Sequence, residues 1–385
     1  MQHWNAASDL LVAIQYNDLS TAESILRRPH FDADIRFRLS ANNSVPAICV
    51  CAERGLNEMM RLLIDSGCSV NLRDDCGFTP LHFAVTHQFV DIINLLLNQR
   101  ANANCVSNYG HTPLHLAAQQ SSLVVELLVK AGAKLNCRDC DGKTPLSFAC
   151  IHNHTKIAKY LIDKGADVNC EDNYLNTPLL LAINSGLCLN AELIRYLLEA
   201  NADPNHTNAN GQSAMFTAIR RSSDHCLQGV DIVTALLEND CDIDVCDSSY
   251  YGENAVHLSI SRNQDRITET LIRFGCNLNA RNINGHSVLY RLLREGKQHL
   301  ASMVLAAGID WKFVLECRRE HLLISALPDS PFRRIFHSRN GLFPKLKHLS
   351  RVKIRQTLGR NCDAIIKQLS LPNCIIHYLL LNELF

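Results

Sequence analysis

The sequence predicts an all-α chain, with about eight stacked helix-turn-helix repeats followed by a small three-helix module. Three observations carry this reading. A helix-start phrase recurs at near-constant spacing, paired apolar stripes of helical period follow each copy, and both pattern and charge change after residue 311.

The phrase Thr79-Pro80-Leu81-His82 returns as Thr112-Pro113-Leu114-His115, then as Thr144-Pro145-Leu146 and Thr177-Pro178-Leu179, at steps of 33, 32 and 33 residues. The same frame reaches back to Pro46 and forward to Ser213, Asn254 and Ser287, the later steps being 36, 41 and 33. A degenerate first unit is expected near Asp9, where Leu10, Leu11, Ala13 and Ile14 share a helical face. Within a unit, the Thr79 hydroxyl is expected to cap the first helix, and Pro80 suits the first helical position. Leu81, Ala84 and Val85 form the inner apolar stripe, and Ile92, Ile93, Leu95 and Leu96 form the second. The chain then projects through Asn108-Tyr109-Gly110, where glycine accepts a positive φ.

Leu175 stands where Gly77, Gly110 and Gly142 stand in other units, so a tighter or strained turn is expected there. Two breaks in the period place about three extra residues near Ser185 to Asn190 and about seven near Arg221 to Gly229. Both fall between paired helices, where insertions are tolerated and individual functions collect.

The 17 cysteines suggest neither a disulfide framework nor a metal centre. Nothing points to export, and a reducing compartment keeps thiols free. Cys137-Arg138-Asp139-Cys140 is a CxxC, but Cys105, Cys137 and Cys170 each follow an Asn at the same repeat position. Cys68, Cys241 and Cys276 replace Ala101, Ala133, Ala166 and Ala202 after the second helix, so cysteine fills small-residue slots. Zinc needs four converging ligands, and no second CxxC supplies them. His82, His115 and His257 share one helix-start position and are expected to bridge neighbouring loops. Cys150, His152 and His154 lie close in sequence without a completing cluster. No nucleophile-base set, P-loop or phosphate cradle is present in the sequence. The expectation is a non-enzyme with no cofactor.

With 47% hydrophobic and 20% charged residues the chain should bury a core. No apolar run approaches the roughly 18 residues of a membrane span, and the first residues lack a secretory pattern. The expected location is cytoplasmic with nuclear access open, and no membrane partner is expected. Residues 1–311 carry 25 basic and 33 acidic side chains, whereas 312–367 carry 13 basic and 4 acidic. Leu346, Leu349, Ile354 and Leu358 interleave the basic run at helical spacing, without aromatic stacking residues. Nucleic acid therefore ranks well below protein as a partner.

The repeated phrase, its period and its paired helices closely resemble the ankyrin repeat, over about 300 residues. In the tail, Leu346, Ser350 and Ile354 line one helical face, and Leu358-Gly359 ends that helix. A second helix is expected over 363–368, then Leu369-Ser370-Leu371-Pro372, then a closing helix with Ile375, Ile376, Tyr378, Leu379 and Leu380. This order resembles a SOCS box, and the whole chain is similar to the ankyrin repeat and SOCS box family. The resemblance implies repeats over 1–311 (first unit degenerate), a helical linker or cap over 312–340 and a SOCS box over 341–385.

It also implies partners: elongin B and elongin C on Leu346, Leu349, Ser350 and Ile354, and cullin-5 with its RING subunit on Leu369, Ser370, Leu371 and Pro372. The implied role is a substrate-recognition subunit of that E3 ubiquitin ligase. Ser350 stands where the family usually has Cys, and Ser370 where it has the first Pro. A helical serine can return its hydroxyl to the carbonyl four residues back, which makes its burial inexpensive. An unidentified protein substrate would meet the repeats at loop tips, with Asp75, Asn108, Tyr109, Asp141, Tyr174 and Asn210 as candidates. Two other readings stay open: an ankyrin scaffold or inhibitor whose tail only caps the stack, and a nucleic-acid binder using the basic segment.

Overall fold

The computed structural model describes residues 2–307 and 309, apart from 30, 41–42, 186–188, 223–226, 245–252 and 283. The linker and SOCS box expected after residue 311 lie outside the described residues. The chain divides into two compact units, Met1–Asn173 and Tyr174–Phe385.

The first unit holds five helix pairs: α1 (Gln2–Tyr16) with α2 (Leu19–Leu26), α3 (Ala47–Arg54) with α4 (Asn57–Asp65), α5 (Pro80–Thr86) with α6 (Val90–Asn98), α7 (Pro113–Ala118) with α8 (Ser122–Lys130), and α9 (Pro145–Ile151) with α10 (Thr155–Asp163). The second holds four: α11 (Pro178–Asn184) with α12 (Ala191–Glu199), α13 (Ala214–Arg221) with α14 (Leu227–Glu238), α15 (Ala255–Ser261) with α16 (Asp265–Arg273), and α17 (Val288–Arg294) with α18 (Gln298–Ala307). Among the described residues this makes nine pairs, against the expected eight or so. These are ankyrin repeats, and within each unit an inner helix packs on the inner helix of the next pair.

The repeat phrase explains the helix starts. Thr144 Oγ1 accepts the Ser147 N–H at 3.3 Å and Thr177 Oγ1 the Leu180 N–H at 3.4 Å, as an N-cap should. Leu81, Ala84 and Val85 are buried on α5, and Ile92, Ile93 and Leu96 on α6. Leu95, expected in that second stripe, is only half-buried, because it lies off the face that Ile92, Ile93 and Leu96 present to the core. A single repeat cannot bury both its faces, so neighbouring pairs supply the core.

Three details interrupt the regular repeat. β1 (Arg36–Ser40) and β2 (Asn43–Pro46) form an antiparallel hairpin, pairing Arg36 with Pro46 and Phe37 with Val45. Here polar and apolar residues alternate with period two, and Phe37 and Val45 both turn inward and are buried. The lengthened turns do fall between paired helices. However, α14 runs to 12 residues against 9 in α6, so part of the longer insertion extends a helix. Leu175 adopts the strained conformation expected of it, at φ 59°. Among the described residues no helix is long and apolar enough to cross a membrane.

Candidate functional site

The loop tips around residues 75, 108 and 141 are each fastened twice, within themselves and to a neighbouring tip. Ser107 N–H donates to the His111 carbonyl at 2.9 Å, and Asp139 N–H to the Lys143 carbonyl at 2.9 Å. The turn inside is held by a buried acceptor. Asp139 Oδ1 receives the Asp141 and Lys143 N–H groups at 2.9 and 2.8 Å, and Asn208 Oδ1 receives those of Asn210 and Gln212, both at 3.0 Å. Asp74, Ser107, Asp139, Asp172, Asn208 and Asn282 all stand five residues before a helix cap. That periodic row of small acceptors was a usable signal in the sequence and was missed.

Between tips the bonds run at repeat spacing. Asn108 donates its N–H to the Cys76 carbonyl at 2.9 Å and its Nδ2 to the Asp75 carbonyl at 2.9 Å. Cys140 N–H reaches the Tyr109 carbonyl at 3.1 Å, and Asn173 N–H reaches the Asp141 carbonyl at 2.8 Å. In the second unit Ala209 N–H reaches the Tyr174 carbonyl at 2.9 Å.

This ladder lines up Asp75, Asn108, Tyr109 and Asp141 on successive tips of the first unit, and Tyr174 and Asn210 on successive tips of the second. All six are exposed. They are not equally available. Arg36 holds the Asp75 carboxylate at 2.9 Å while Ser44 N–H donates to it at 2.6 Å, so the hairpin pins this tip. Asp141 faces Lys143 Nζ at 2.9 Å. Tyr109 and Tyr174 are 55% and 63% exposed and are the most exposed large hydrophobic side chains at the described tips. Behind Tyr109 runs a ring network that the sequence reading did not assemble. Tyr109 lies 6.0 Å from Phe78 and 6.3 Å from His111, and His111 lies 5.7 Å from Phe148.

The helix-start histidines are bridges between repeats. The Thr79 N–H donates to His82 Nδ1 at 3.1 Å, and His82 Nε2 lies 3.0 Å from the His111 carbonyl. His115 repeats this with Thr112 at 3.1 Å and the Lys143 carbonyl at 3.1 Å. A nitrogen facing an N–H must accept and one facing a carbonyl must donate, so both rings are neutral Nε2–H tautomers. Burial pushes both pKa values down to about 4, which keeps them uncharged at neutral pH.

The described cysteines are free thiols. Cys68, Cys241 and Cys276 are buried at positions where other repeats bury alanine. Burial pushes the Cys51 thiol up to about 12, which leaves it un-ionised and unreactive. Among the described residues no group of three His, Cys, Asp or Glu side chains could hold a metal ion. What each unit offers is a row of exposed polar and aromatic tips.

The chain matches the family model for ankyrin repeats over 10–107, 48–139, 90–172, 123–208 and 223–313, and the model for the SOCS box over 343–380. The chain belongs to the ankyrin repeat and SOCS box family. Both modules are of the adaptor type and carry no catalysis. Among curated proteins, it is similar to the B-cell lymphoma 3 protein homolog of Mus musculus, 28% identical over 45% of each chain. An ankyrin repeat-containing protein of Schizosaccharomyces pombe is 30% identical over 28% of this chain and 37% of its own. An ankyrin repeat protein of Acanthamoeba polyphaga mimivirus is 27% identical over 40% of this chain and 20% of its own. This ankyrin repeat and SOCS box protein thus spans less than half the length of each relative. Its SOCS-box candidates, Leu346, Leu349, Ser350, Ile354 and Leu369 to Pro372, lie outside the described residues.

Proposed function

We propose that the chain is the substrate-recognition subunit of an elongin B/C–cullin-5 RING E3 ubiquitin ligase. The observation that carries this is the presence of ankyrin repeats and a SOCS box on one chain. The repeats over 1–311 hold a target protein through the tip surface. The segment 312–340 links them to the box at 341–385. Leu346, Leu349, Ser350 and Ile354 dock on elongins as one helical face, and Leu369, Ser370, Leu371 and Pro372 contact cullin-5. The chain supplies position and no chemistry, since holding a target beside the ligase raises its effective concentration there.

Helix-in-groove docking depends on a few apolar anchors. Burying Leu346 and Ile354 contributes on the order of 1.5–3 kcal/mol each. The Leu346→Ser, Ile354→Ser double variant should therefore lose elongin capture by orders of magnitude while the repeats stay folded. An affinity pull-down of both proteins, probed for elongins and cullin-5, tests this. Elongin absent from the wild-type complex, together with a lower melting temperature in the variant, would instead favour a tail that only caps the stack.

A further inference from the structure

At the tip that opens the second unit, one residue holds a conformation that its own side chain opposes. Leu175 stands two residues before the Thr177 cap, and the same position elsewhere is Gly77, Gly110, Gly142, Gly211 and Gly285, all at positive φ. Glycine is the residue such a turn calls for, because a Cβ in the left-handed region crowds the following carbonyl oxygen. Leu175 takes φ 59° all the same, and every other non-glycine residue at positive φ among the described residues is polar or charged. Packing returns little for the strain, since Leu175 stays 43% exposed.

The surroundings of Leu175 give that strain a use. Tyr174 beside it is 63% exposed, so two large hydrophobic side chains stand together at one tip. Their backbone is held from the next repeat. The Tyr174 carbonyl accepts the Ala209 N–H at 2.9 Å, the Leu175 carbonyl accepts from His206 Nε2 at 2.8 Å, and Asn176 Oδ1 accepts from Asn208 Nδ2 at 3.0 Å. From Pro204 to Ile219 the chain has no Asp, Glu, Lys or Arg, and the next tip presents the amide of Asn210 to solvent. By contrast, Asp75 and Asp141 on tips of the first unit each carry an ion pair, with Arg36 and Lys143. Apolar anchors beside uncharged hydrogen-bonding groups are the make-up of a protein-binding hot spot. Backbone strain that folding does not need collects at such binding sites.

We infer that Tyr174 and Leu175 are an anchor pair for a target protein, and that the segment they hold is apolar and uncharged. The inference rests on the reading that the repeats hold a target, and it names the chemistry of what is held. A charged segment would lose hydration on docking and find no opposite charge on the neighbouring tip. An apolar side chain gains by leaving water together with Tyr174 and Leu175. Glycine at 175 would relax the turn and remove half of the anchor, so stability and binding move in opposite directions at this position. That opposition separates a binding residue from a packing one.

The test uses the full chain. A phage-displayed library of random short peptides is depleted on immobilised Leu175→Gly and then selected on the wild type. Enriched peptides are synthesised with a fluorescein label and read by anisotropy. They should carry a leucine or an aromatic residue in an uncharged stretch. Leu175→Gly and Tyr174→Ser should each bind them at least about tenfold more weakly. Leu175→Met keeps an apolar side chain of similar volume and should bind within about threefold of wild type. Leu175→Gly should melt no lower than wild type, so its loss of binding is not a loss of fold. An empty selection, enrichment of charged peptides, equal binding by the glycine or serine variant, equal loss in the methionine variant, or a glycine variant that melts below wild type would each overturn the anchor pair. So would sedimentation showing wild-type dimers that Leu175→Gly converts to monomers, which would give the pair to a second copy of the chain. Elongin capture on the same preparations reports separately on the ligase reading: it depends on the tail and should not respond to Tyr174 or Leu175.

Discussion

Acid should loosen the first unit through two histidines that the fold keeps neutral. In His82 and His115 both ring nitrogens are already committed, Nδ1 to an N-cap N–H and Nε2 to the carbonyl of the next tip. Protonating Nδ1 would set a donor against a donor, and burial opposes the charge as well. Each ring is accordingly lowered from an ordinary 6.5 to about 4. Between those values the unfolded chain binds a proton that the folded chain refuses, so stability rises with pH across the interval. The contribution is complete above pH 6.5, drains away as pH falls towards 4, and changes no further below it. At about 1.4 kcal/mol per pH unit, the interval amounts to about 3 kcal/mol per ring.

The third cap shows how to remove the effect. There Ser147 takes the histidine position and accepts the Thr144 N–H at 3.2 Å without titrating. Urea unfolding followed by circular dichroism, from about pH 7 to about pH 4.5, should give a steep fall in midpoint for the wild type. The His82→Ser, His115→Ser variant should be less stable at neutral pH and distinctly flatter across the range. His257 in the second unit, also lowered to about 4, leaves it a residual slope. A variant with the wild-type slope would refute the reasoning, since the titrating groups would then lie elsewhere.

Other outcomes follow from backbone and packing. Leu175 holds φ 59° while 43% exposed, so Leu175→Gly should stabilise the second unit by about 1 kcal/mol in thermal unfolding; a loss would mean that the leucine side chain is worth more than its strain. A Cβ at Gly110 would meet Cys140 N at 2.5 Å and Asp139 Cα at 2.6 Å, whereas one at Gly67 meets nothing within 4 Å. Gly110→Ala should therefore cost about 3 kcal/mol or more and Gly67→Ala only about 1–2 kcal/mol, and equal losses would contradict this. Cys68→Ala restores the residue other repeats use and should cost about 1 kcal/mol or less, with no zinc by elemental assay before or after; stoichiometric zinc would overturn the packing role.

The legible parts of the fold were those written in local pattern. Thr79-Pro80 and its copies announce helix starts because capping acts within one turn. Leu81, Ala84 and Val85 announce a buried face because helical period is local too. The bridging role of His82 and His115 followed from their shared position. Less legible were contacts between residues about one repeat apart. The bond from Asn108 to the Asp75 carbonyl, the ring contact of His111 with Phe148, and the reach of Arg262 to the Arg220 carbonyl depend on stacking geometry. No window of sequence shorter than a repeat contains them. The hairpin of Arg36 to Pro46 was illegible for a different reason: its period-two alternation covers too few residues to stand out from the surrounding chain.

The most direct test of the central claim is reconstitution. The purified full chain would be mixed with elongin B and elongin C and the product weighed by native mass spectrometry, before and after adding cullin-5 with its RING subunit. The account predicts a one-to-one-to-one complex with the elongins that gains the cullin mass on addition. A chain that stays alone in the presence of both elongins, with its repeats folded, would contradict it.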